Sequence, residues 1–589
     1  MLLLRTRASP FDPAAQAPLL AALDAARARL EARGVRVELG GVHRFAVDAQ
    51  HTAQRDAQRI SALSLALVVG LLSLLFGSLR ALAASLLQLA FSLATATAVC
   101  LLVFGGLHTL TVAFGATLIG VSIDYPIHLA HHHALAGDPR GPLATLRGVA
   151  PALLVGAATS IAGFAGFAIS DVPGLRELGV FGFAGLGAGL ASLWVISPML
   201  PRTLAPTRAQ AALAALLSRG YARLRTQRAL ARGAVVLIAA AGALGALGTT
   251  FSDDVFALNL PPRADWLAEE VRVQAQLGAS ERARFVAVFG ASDDEALREL
   301  EALTPRLEAA VASGALTSFE SLAPLLRTEA AQAAGERAFR AAGFGERLAR
   351  AFEAEGFAPG AFAPLVAELA RDAPPPLRAS DLSGTPLEDA LGALRVPLET
   401  GVALVVTLRG VSDVAALQRE IAGAPKAILV DQRALSAELY ARYRAQLVPL
   451  LGLGVALVAL VLALRFRSAR VVAAAGLPAL LAAGAVLATL AALGQPATLL
   501  HLFGLLLVLC FAEDYGVFLA EARGEADLSA SLTSIAAAAA TTVLAFGLLA
   551  SSAFPALAAL GLSVGVGTFA ALLTSPLCAA ALLPRSASR

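Results

Sequence analysis

The sequence predicts a polytopic α-helical membrane protein built as an internal twofold repeat, with split α/β domains outside the membrane. Three observations carry this reading: apolar runs of membrane-spanning length, polar motifs that recur at a fixed offset, and strand-helix patterns confined to the segments between the runs. Of the 589 residues, 57% are hydrophobic and only 15% charged, and the mean hydropathy of +0.71 excludes an ordinary soluble protein. Runs of about 20 apolar residues are long enough to cross a hydrocarbon core as helices. Long strands of alternating polarity, the mark of a transmembrane β-barrel, are absent. The net charge is +3, with Lys426 the sole lysine. An arginine bias of this kind reflects composition, not a nucleic-acid surface. Cys100, Cys510 and Cys578 all fall inside apolar runs, where a cysteine acts as a small hydrophobe.

Eleven stretches qualify as spans: 60–77, 81–103, 107–130, 148–170, 176–199, 232–251, 446–464, 471–493, 498–520, 531–551 and 556–582. Arginine placement orients them, because basic residues near span ends stay on the cytoplasmic side. The loop 200–232 carries Arg202, Arg208, Arg219, Arg223, Arg225, Arg228 and Arg232 without an Asp or Glu, and Arg465, Arg467 and Arg470 agree with it. Both loops are therefore expected in the cytoplasm. Alternation then places 1–59, Asp171 to Glu177 and 252–445 outside it. The segment 207–230, with arginines among Ala and Leu, has the composition of an amphipathic helix lying on anionic membrane lipids.

The two halves repeat. FGSLR (76–80) precedes the second span as FRSAR (466–470) precedes the eighth, and Asp124-Tyr125 recurs as Asp514-Tyr515 at the same offset of 390. Farther on, ATSIAGFAGFAISDVPGLRELG (158–179) matches ATTVLAFGLLASSAFPALAALG (540–561) at an offset of 382, and Ser197-Pro198 closes its half as Ser575-Pro576 does. Each half thus holds five spans of one kind, a parallel repeat of the sort used by transporters. The second half also owns a lead span, 232–251, and a large domain after it. The first half instead opens on MLLLRTRASP, which resembles ALVVTLRGVS (403–412). By the repeat, roughly 175 residues and a lead span are expected upstream, so the chain is expected to be N-terminally truncated or wrongly started.

The parts are accordingly 1–59, the end of a first extracytoplasmic domain; 60–200, a five-helix bundle; 201–231, a basic cytoplasmic linker helix; 232–251, the lead span; 252–445, a second extracytoplasmic domain; and 446–584, a second five-helix bundle. Within 252–445, RFVAVFG (284–290) reads as a strand and DDEALRELEALTPRLEAAVA (293–312) as a helix. GVALVVTLRG (401–410), VSDVAALQREIAG (411–423) and AILVDQ (427–432) then read as strand, helix and strand. These are two βαβ-like units separated by an Ala/Glu/Arg-rich helical insert at about 328–372.

Ionisable residues in mid-span cost about 2.5–3.5 kcal/mol on insertion scales and mark function by default. Two sites qualify: GVSIDYPIHL (120–129) and CFAEDYGVFL (510–519). A buried carboxyl can load a proton at one face and release it at the other, and a proton crossing 100 mV releases about 2.3 kcal/mol. Asp124 and Asp514 are the candidate carriers, with Tyr125 and Tyr515 beside them as hydrogen-bond donors or relays. His128 lies four residues after Asp124 on the same helical face and either tunes or extends the relay or is a helix-end histidine near the cytoplasmic surface. Thr159 and Thr541, related by the repeat, offer hydroxyls to the acids or pack helices. Glu513 has Ile123 in its place in the first half and is either a third carboxyl or a residue of the cytoplasmic mouth. The run His131, His132, His133 cannot turn three consecutive side chains toward one ion, so no metal site is expected. Pro126 stands where the second half has Gly516, which predicts a kink and two unequal sites.

This combination of a twofold repeat, split α/β extracytoplasmic domains and an Asp-Tyr pair in the fourth span of each full half resembles the resistance-nodulation-division (RND) superfamily, specifically its MMPL-type exporters. The resemblance runs over nearly the whole chain, short of the first lead span and most of the first porter domain. It implies ferredoxin-like porter domains on the periplasmic side of the bacterial inner membrane and proton-driven export of a hydrophobic or lipid-like molecule across or out of that membrane. Asp124, Tyr125, Asp514 and Tyr515 match the proton-relay positions. The implied partners are that substrate, membrane lipids and further copies of the chain, with protons as the coupling ion and no other cofactor. Two other readings use the same scaffold: a non-transporting lipid-sensing or protein-export-assisting module, and a nonfunctional fragment. No nucleophile-base pair, phosphate loop or metal-ligand spacing points to an enzyme.

Overall fold

The computed structural model describes residues 4, 6, 12–107, 111, 122–168, 173–258, 263–277, 283–340, 343–369, 371 and 374–584. Among them, ten helices are long and apolar enough to cross a membrane: Val42–Phe76, Leu79–Phe104, Pro142–Phe164, Arg176–Met199, Arg228–Gly248, Gln432–Arg465, Ala469–Ala492, Leu499–Glu521, Gly524–Leu549 and Pro555–Leu582. They account for ten of the eleven expected spans. The eleventh, 107–130, lies largely outside the described residues, which resume at Ser122 and form the helix Asp124–Ala136.

The first and seventh spans differ from their sequence bounds. Each is the apolar half of a far longer helix, Val42–Phe76 and Gln432–Arg465. The preceding polar segments are rich in Ala, Gln, Arg and Leu, good helix formers that continue the same hydrogen-bond ladder once the span has nucleated it. The FGSLR motif that opens the repeat is the turn after the first of these helices. Gly77 takes a left-handed φ of 58°, and Ser78 caps the next helix by accepting from the Ala81 N–H at 3.4 Å. Ser468 of FRSAR is the corresponding N-cap.

Burial sorts the helices into a centre and a rim. In Leu499–Glu521, 94% of the apolar stretch is buried, against 17–22% in Val42–Phe76, Leu79–Phe104, Arg228–Gly248 and Gln432–Arg465. A helix that is apolar all round belongs inside. The rim turns Leu102, Val195, Leu237, Leu247 and Leu464 outward, the side chains a lipid-facing surface requires. Close approach depends on small residues. The Cα of Gly484 lies 2.8 Å from where a Cβ on Gly242 would stand, and a Cβ on Gly245 would overlap the backbone of Ala488. This small-residue seam joins Arg228–Gly248 to Ala469–Ala492.

Packing follows the repeat. Leu79–Phe104 packs on Pro173–Ile196 as Ala469–Ala492 packs on Pro555–Leu582. The two halves exchange partners at the centre: Asp124–Ala136 packs on Gly524–Leu549 of the other half, and Leu499–Glu521 packs on Pro142–Ala168. A pseudo-twofold arrangement of this kind sets the two acid-bearing helices across from one another.

The chain divides into two compact units, Met1–Ala28 with Val42–Pro262 and Ala437–Arg589, and Arg29–Gly41 with Arg263–Ser436. In the second, strands β1 (Arg284–Gly290), β2 (Ser318–Glu320), β3 (Arg395–Leu398), β4 (Gly401–Arg409) and β5 (Ala427–Asp431) form one sheet. The order is β2-β4-β1-β5, with β3 paired to β4 and every pairing antiparallel. The two βαβ-like units are therefore interleaved. β4 lies between β1 and β2, and β1 lies between β4 and β5, so neither unit forms a parallel pair of its own. The insert holds the helices Glu329–Arg340, Phe344–Ala354 and Ala363–Leu369. Leu39 and Gly41 donate backbone N–H groups to Glu269 and Glu270 at 2.8 and 2.7 Å, which ties 29–41 to this unit.

The sheet's core is apolar and closed by the helix Asp293–Ala312, whose Leu297, Leu300, Leu303 and Leu307 pack on Val286, Val288, Leu404 and Val406. Leu300 is fully buried. Leu300→Ala is expected to cost this unit about 2–5 kcal/mol by transfer and cavity terms. Hydrogen exchange at β1 and β4 would show it, and unchanged protection would refute the packing.

Candidate functional site

Asp124 and Asp514 sit inside the helix bundle with 3% and 4% of their surface exposed. Each opens or occupies a helix packed against helices of both repeats, so neither can reach solvent without movement of its neighbours. Tyr125 and Tyr515 are as deeply buried, at 2% and 1%. Asp124 lies within electrostatic reach of Asp514, and each tyrosine hydroxyl within reach of both acids. The structure thus gathers the four sequence-predicted relay residues, 390 positions apart in the chain, into one electrostatic site.

The unpaired atoms there are the informative feature. Asp124 Oδ1, Asp514 Oδ1, Glu513 Oε2, Tyr125 Oη and Tyr515 Oη are all buried without a hydrogen-bond partner among the described residues. Native interiors satisfy nearly all such groups, so five in one site set it apart from the rest of the bundle. Glu513, 4% exposed, lies within this buried group instead of at the mouth.

Room for Asp514 is made by Gly156. A Cβ at that position would overlap Asp514 Oδ1 and stand 2.9 Å from its Cγ. The repeat places Ala538 at the corresponding position of the other half. Nearby, Ser160 Oγ donates to Cys510 O at 2.7 Å, locking Pro142–Ala168 against the helix that carries Asp514. On the Asp124 side, Gln88 Nε2 donates to Ser122 Oγ at 2.8 Å. Neither Gly156, Ser160 nor Gln88 stands out in the sequence, because each acquires its role from a partner on another helix.

Thr159 and Thr541 donate within their own helices, to Gly156 O at 2.8 Å and Ala538 O at 2.7 Å. Their protons are committed to backbone carbonyls, which leaves them only as acceptors. Pro126 falls in the first turn of Asp124–Ala136, where its missing N–H removes no interior helical bond.

The histidines disperse. His128 stacks on Phe518 at 3.7 Å between ring centres and 10° between planes, with Nδ1 2.7 Å from Ser534 Oγ. His131 donates from Nδ1 to Ile127 O at 2.9 Å. His132 pairs through Nδ1 with Asp527 Oδ1 at 2.9 Å, and its Nε2 faces Ser531 Oγ at 3.4 Å. His133 donates from Nε2 to Pro201 O at 3.0 Å. Successive side chains along a helix point in different directions, and here each meets a different neighbour.

Residues 1–240 match the MMPL family. No curated protein matches the chain. The MMPL match takes in the first bundle, Asp124-Tyr125, the basic helix Arg208–Thr226 and most of Arg228–Gly248. With ten apolar helices of spanning length among the described residues, this is a multi-pass helical membrane protein whose first 240 residues are similar to the MMPL family. Its second bundle carries the repeat-related Asp514-Tyr515.

Proposed function

We propose that the chain is a proton-motive-force-driven secondary exporter of a hydrophobic or lipid-like molecule across or out of the bacterial inner membrane. The MMPL match supports a transporter-like role for a membrane protein. The observation that carries the coupling is the pair of Asp-Tyr sites buried opposite one another, with five polar atoms unpartnered. Protonating a carboxyl there removes a charge from an apolar interior, and deprotonation restores it. The helices around the pair repack to suit each state, a two-state element that the membrane potential can bias.

In this reading the arginine-rich loop faces the cytoplasm, and the sheet-bearing unit is a periplasmic porter domain. Its interleaved strand-helix-strand order supports a ferredoxin-like assignment. The exposed apolar rim contacts membrane lipids, and further copies of the chain are candidate neighbours. No covalent chemistry is required, and protons serve as the coupling ion.

The test is vesicle transport. Inverted membrane vesicles containing the protein, loaded with a fluorescent phospholipid analogue and energised by respiration, should translocate the probe. A protonophore should reduce the rate to that of vesicles lacking the protein. Protein-dependent movement that ignores the protonophore would refute proton coupling.

A further inference from the structure

We propose that Asp124 alone releases its proton toward the arginine-rich face, through a wire made of His128, Ser534, Ser531, His132 and Asp527. This rests on the exporter reading and adds to it a direction and an asymmetry between the two acids.

The wire is built by both halves. His128 and His132 stand one turn apart on Asp124–Ala136, and Ser534, Ser531 and Asp527 stand on Gly524–Leu549, which packs against it. Hydrogen-bond directions follow from the partners. Ser534 Oγ donates to Ser531 O at 3.0 Å, so the 2.7 Å contact with His128 is donated by His128 Nδ1–H. In the neutral ring Nε2 is then an acceptor, and it is buried without a partner among the described residues, as Asp124 Oδ1 is. These two atoms belong to residues one turn apart on one face, and the wire requires a water between them. Farther along, His132 Nδ1–H donates to Asp527, which leaves Nε2 to accept from Ser531 Oγ.

Every donor therefore points away from Asp124. Asp124 gives its proton to His128 Nε2, and His128 Nδ1 passes its own to Ser534 Oγ. The Ser534 proton turns from Ser531 O to Ser531 Oγ, a neighbour three residues away on the same face. Ser531 protonates His132 Nε2, and His132 Nδ1–H protonates Asp527. One proton leaves Asp124 and one arrives at Asp527, while both rings exchange tautomers.

The end of the wire is open. The Asp527 side chain is 31% exposed, whereas that of His132 is 4% exposed. Arg523 donates its backbone N–H to Asp527 Oδ2 at 2.7 Å, and Ser529 bonds Ser218 of the basic helix at 3.1 Å. The mouth thus lies on the arginine-rich side. The other ionisable group beside the rings, His131, donates to Ile127 O and sits edge-on to Phe76, off the route.

The second half has no such wire. Its repeat-related positions are Phe518 and Ala522 in place of the histidines, and Ala152, Val149 and Thr145 in place of Ser534, Ser531 and Asp527. His128 stacks on Phe518, its own counterpart across the pseudo-twofold.

The experiment uses the full chain in oriented proteoliposomes and dicyclohexylcarbodiimide, which modifies protonated buried carboxyls. Asp124 modification is read by peptide mass spectrometry after raising the pH on one side. Raising it on the arginine-rich side should quench wild-type labelling, and raising it on the other side should not. His128→Phe, which installs the second-half residue, Ser534→Ala, which removes only a hydroxyl, and Asp527→Asn should each slow the quench by at least about tenfold. Asp527→Glu should restore it. Quenching at the wild-type rate in all three variants would overturn the wire; if Asp124→Asn still abolishes protonophore-sensitive transport, the exporter reading survives that result. If Asp124→Asn transports normally, both fall.

Discussion

Asp514→Asn and Asp124→Asn are each expected to abolish protonophore-sensitive transport, to below about 1% of wild type, because the amide keeps the shape of the carboxyl but cannot carry the proton. Asn also offers two donors and an acceptor to a site whose polar atoms are otherwise unpartnered. Insertion and folding should therefore persist, and size-exclusion profiles in detergent should match wild type. The two losses should not be additive. Asp124 lies within electrostatic reach of Asp514, so a cycle that needs both is already stopped by the loss of one. Tyr125→Phe and Tyr515→Phe remove a hydroxyl and leave the carrier, so a fall of about tenfold is expected from each. A wild-type rate in either Asn variant would sink the coupling claim, whatever the tyrosines show.

The sequence revealed these acids for a physical reason. A carboxyl in an apolar run is costly, and the second one at the same offset removes the excuse of chance. The same logic found ten of the described spans, because bilayer thickness is a length that hydropathy can measure. It could not find where Val42–Phe76 and Gln432–Arg465 begin, since their polar ends are helical without being buried in lipid. In the sheet, each strand and its helix were legible locally. Their interleaving was not, because β4 inserts between β1 and β2 by pairing with β1 across more than a hundred residues. β3 carried no alternation to read. It is a short edge strand containing Pro397, tolerated because an edge position need not donate from every residue.

The site divides along the same line. His128 was legible as a residue on the Asp124 face, but Ser534, Ser531 and Asp527 were not, because they come from the other half and lack any motif of their own. Thr159 and Thr541 were conspicuous through the repeat, yet their hydroxyls serve their own helices. Repetition exposes what both halves share. What makes the halves unequal must be read from contacts between them.

Gly156 is the sharpest case of that inequality, and Gly156→Val is the second substitution with a large expected effect. The residue sits in mid-helix, where glycine costs about 1 kcal/mol relative to alanine. The cost is explained by the carboxyl lying against its bare Cα: any Cβ would overlap Asp514 Oδ1 and approach Cγ to 2.9 Å. Leu499–Glu521 cannot retreat, because a Cβ on Gly516 would already overlap the Ala475 carbonyl on its far side. Valine must therefore displace the Asp514 side chain or part Pro142–Ala168 from Leu499–Glu521, which Ser160 holds through Cys510 O at 2.7 Å. Either response moves the carboxyl from its present position, and a displacement near 1 Å at a reacting group costs roughly a hundredfold. Gly156→Val should accordingly lose about 99% of transport. Gly156→Ala should lose less, since one methyl demands a smaller shift. Ala538→Gly, at the equivalent place beside Asp124's half, should leave transport near wild type while lowering thermal stability modestly, about 1 kcal/mol for a helix-interior glycine. Equal transport by Gly156→Val and wild type would mean that Asp514 does not need its present position.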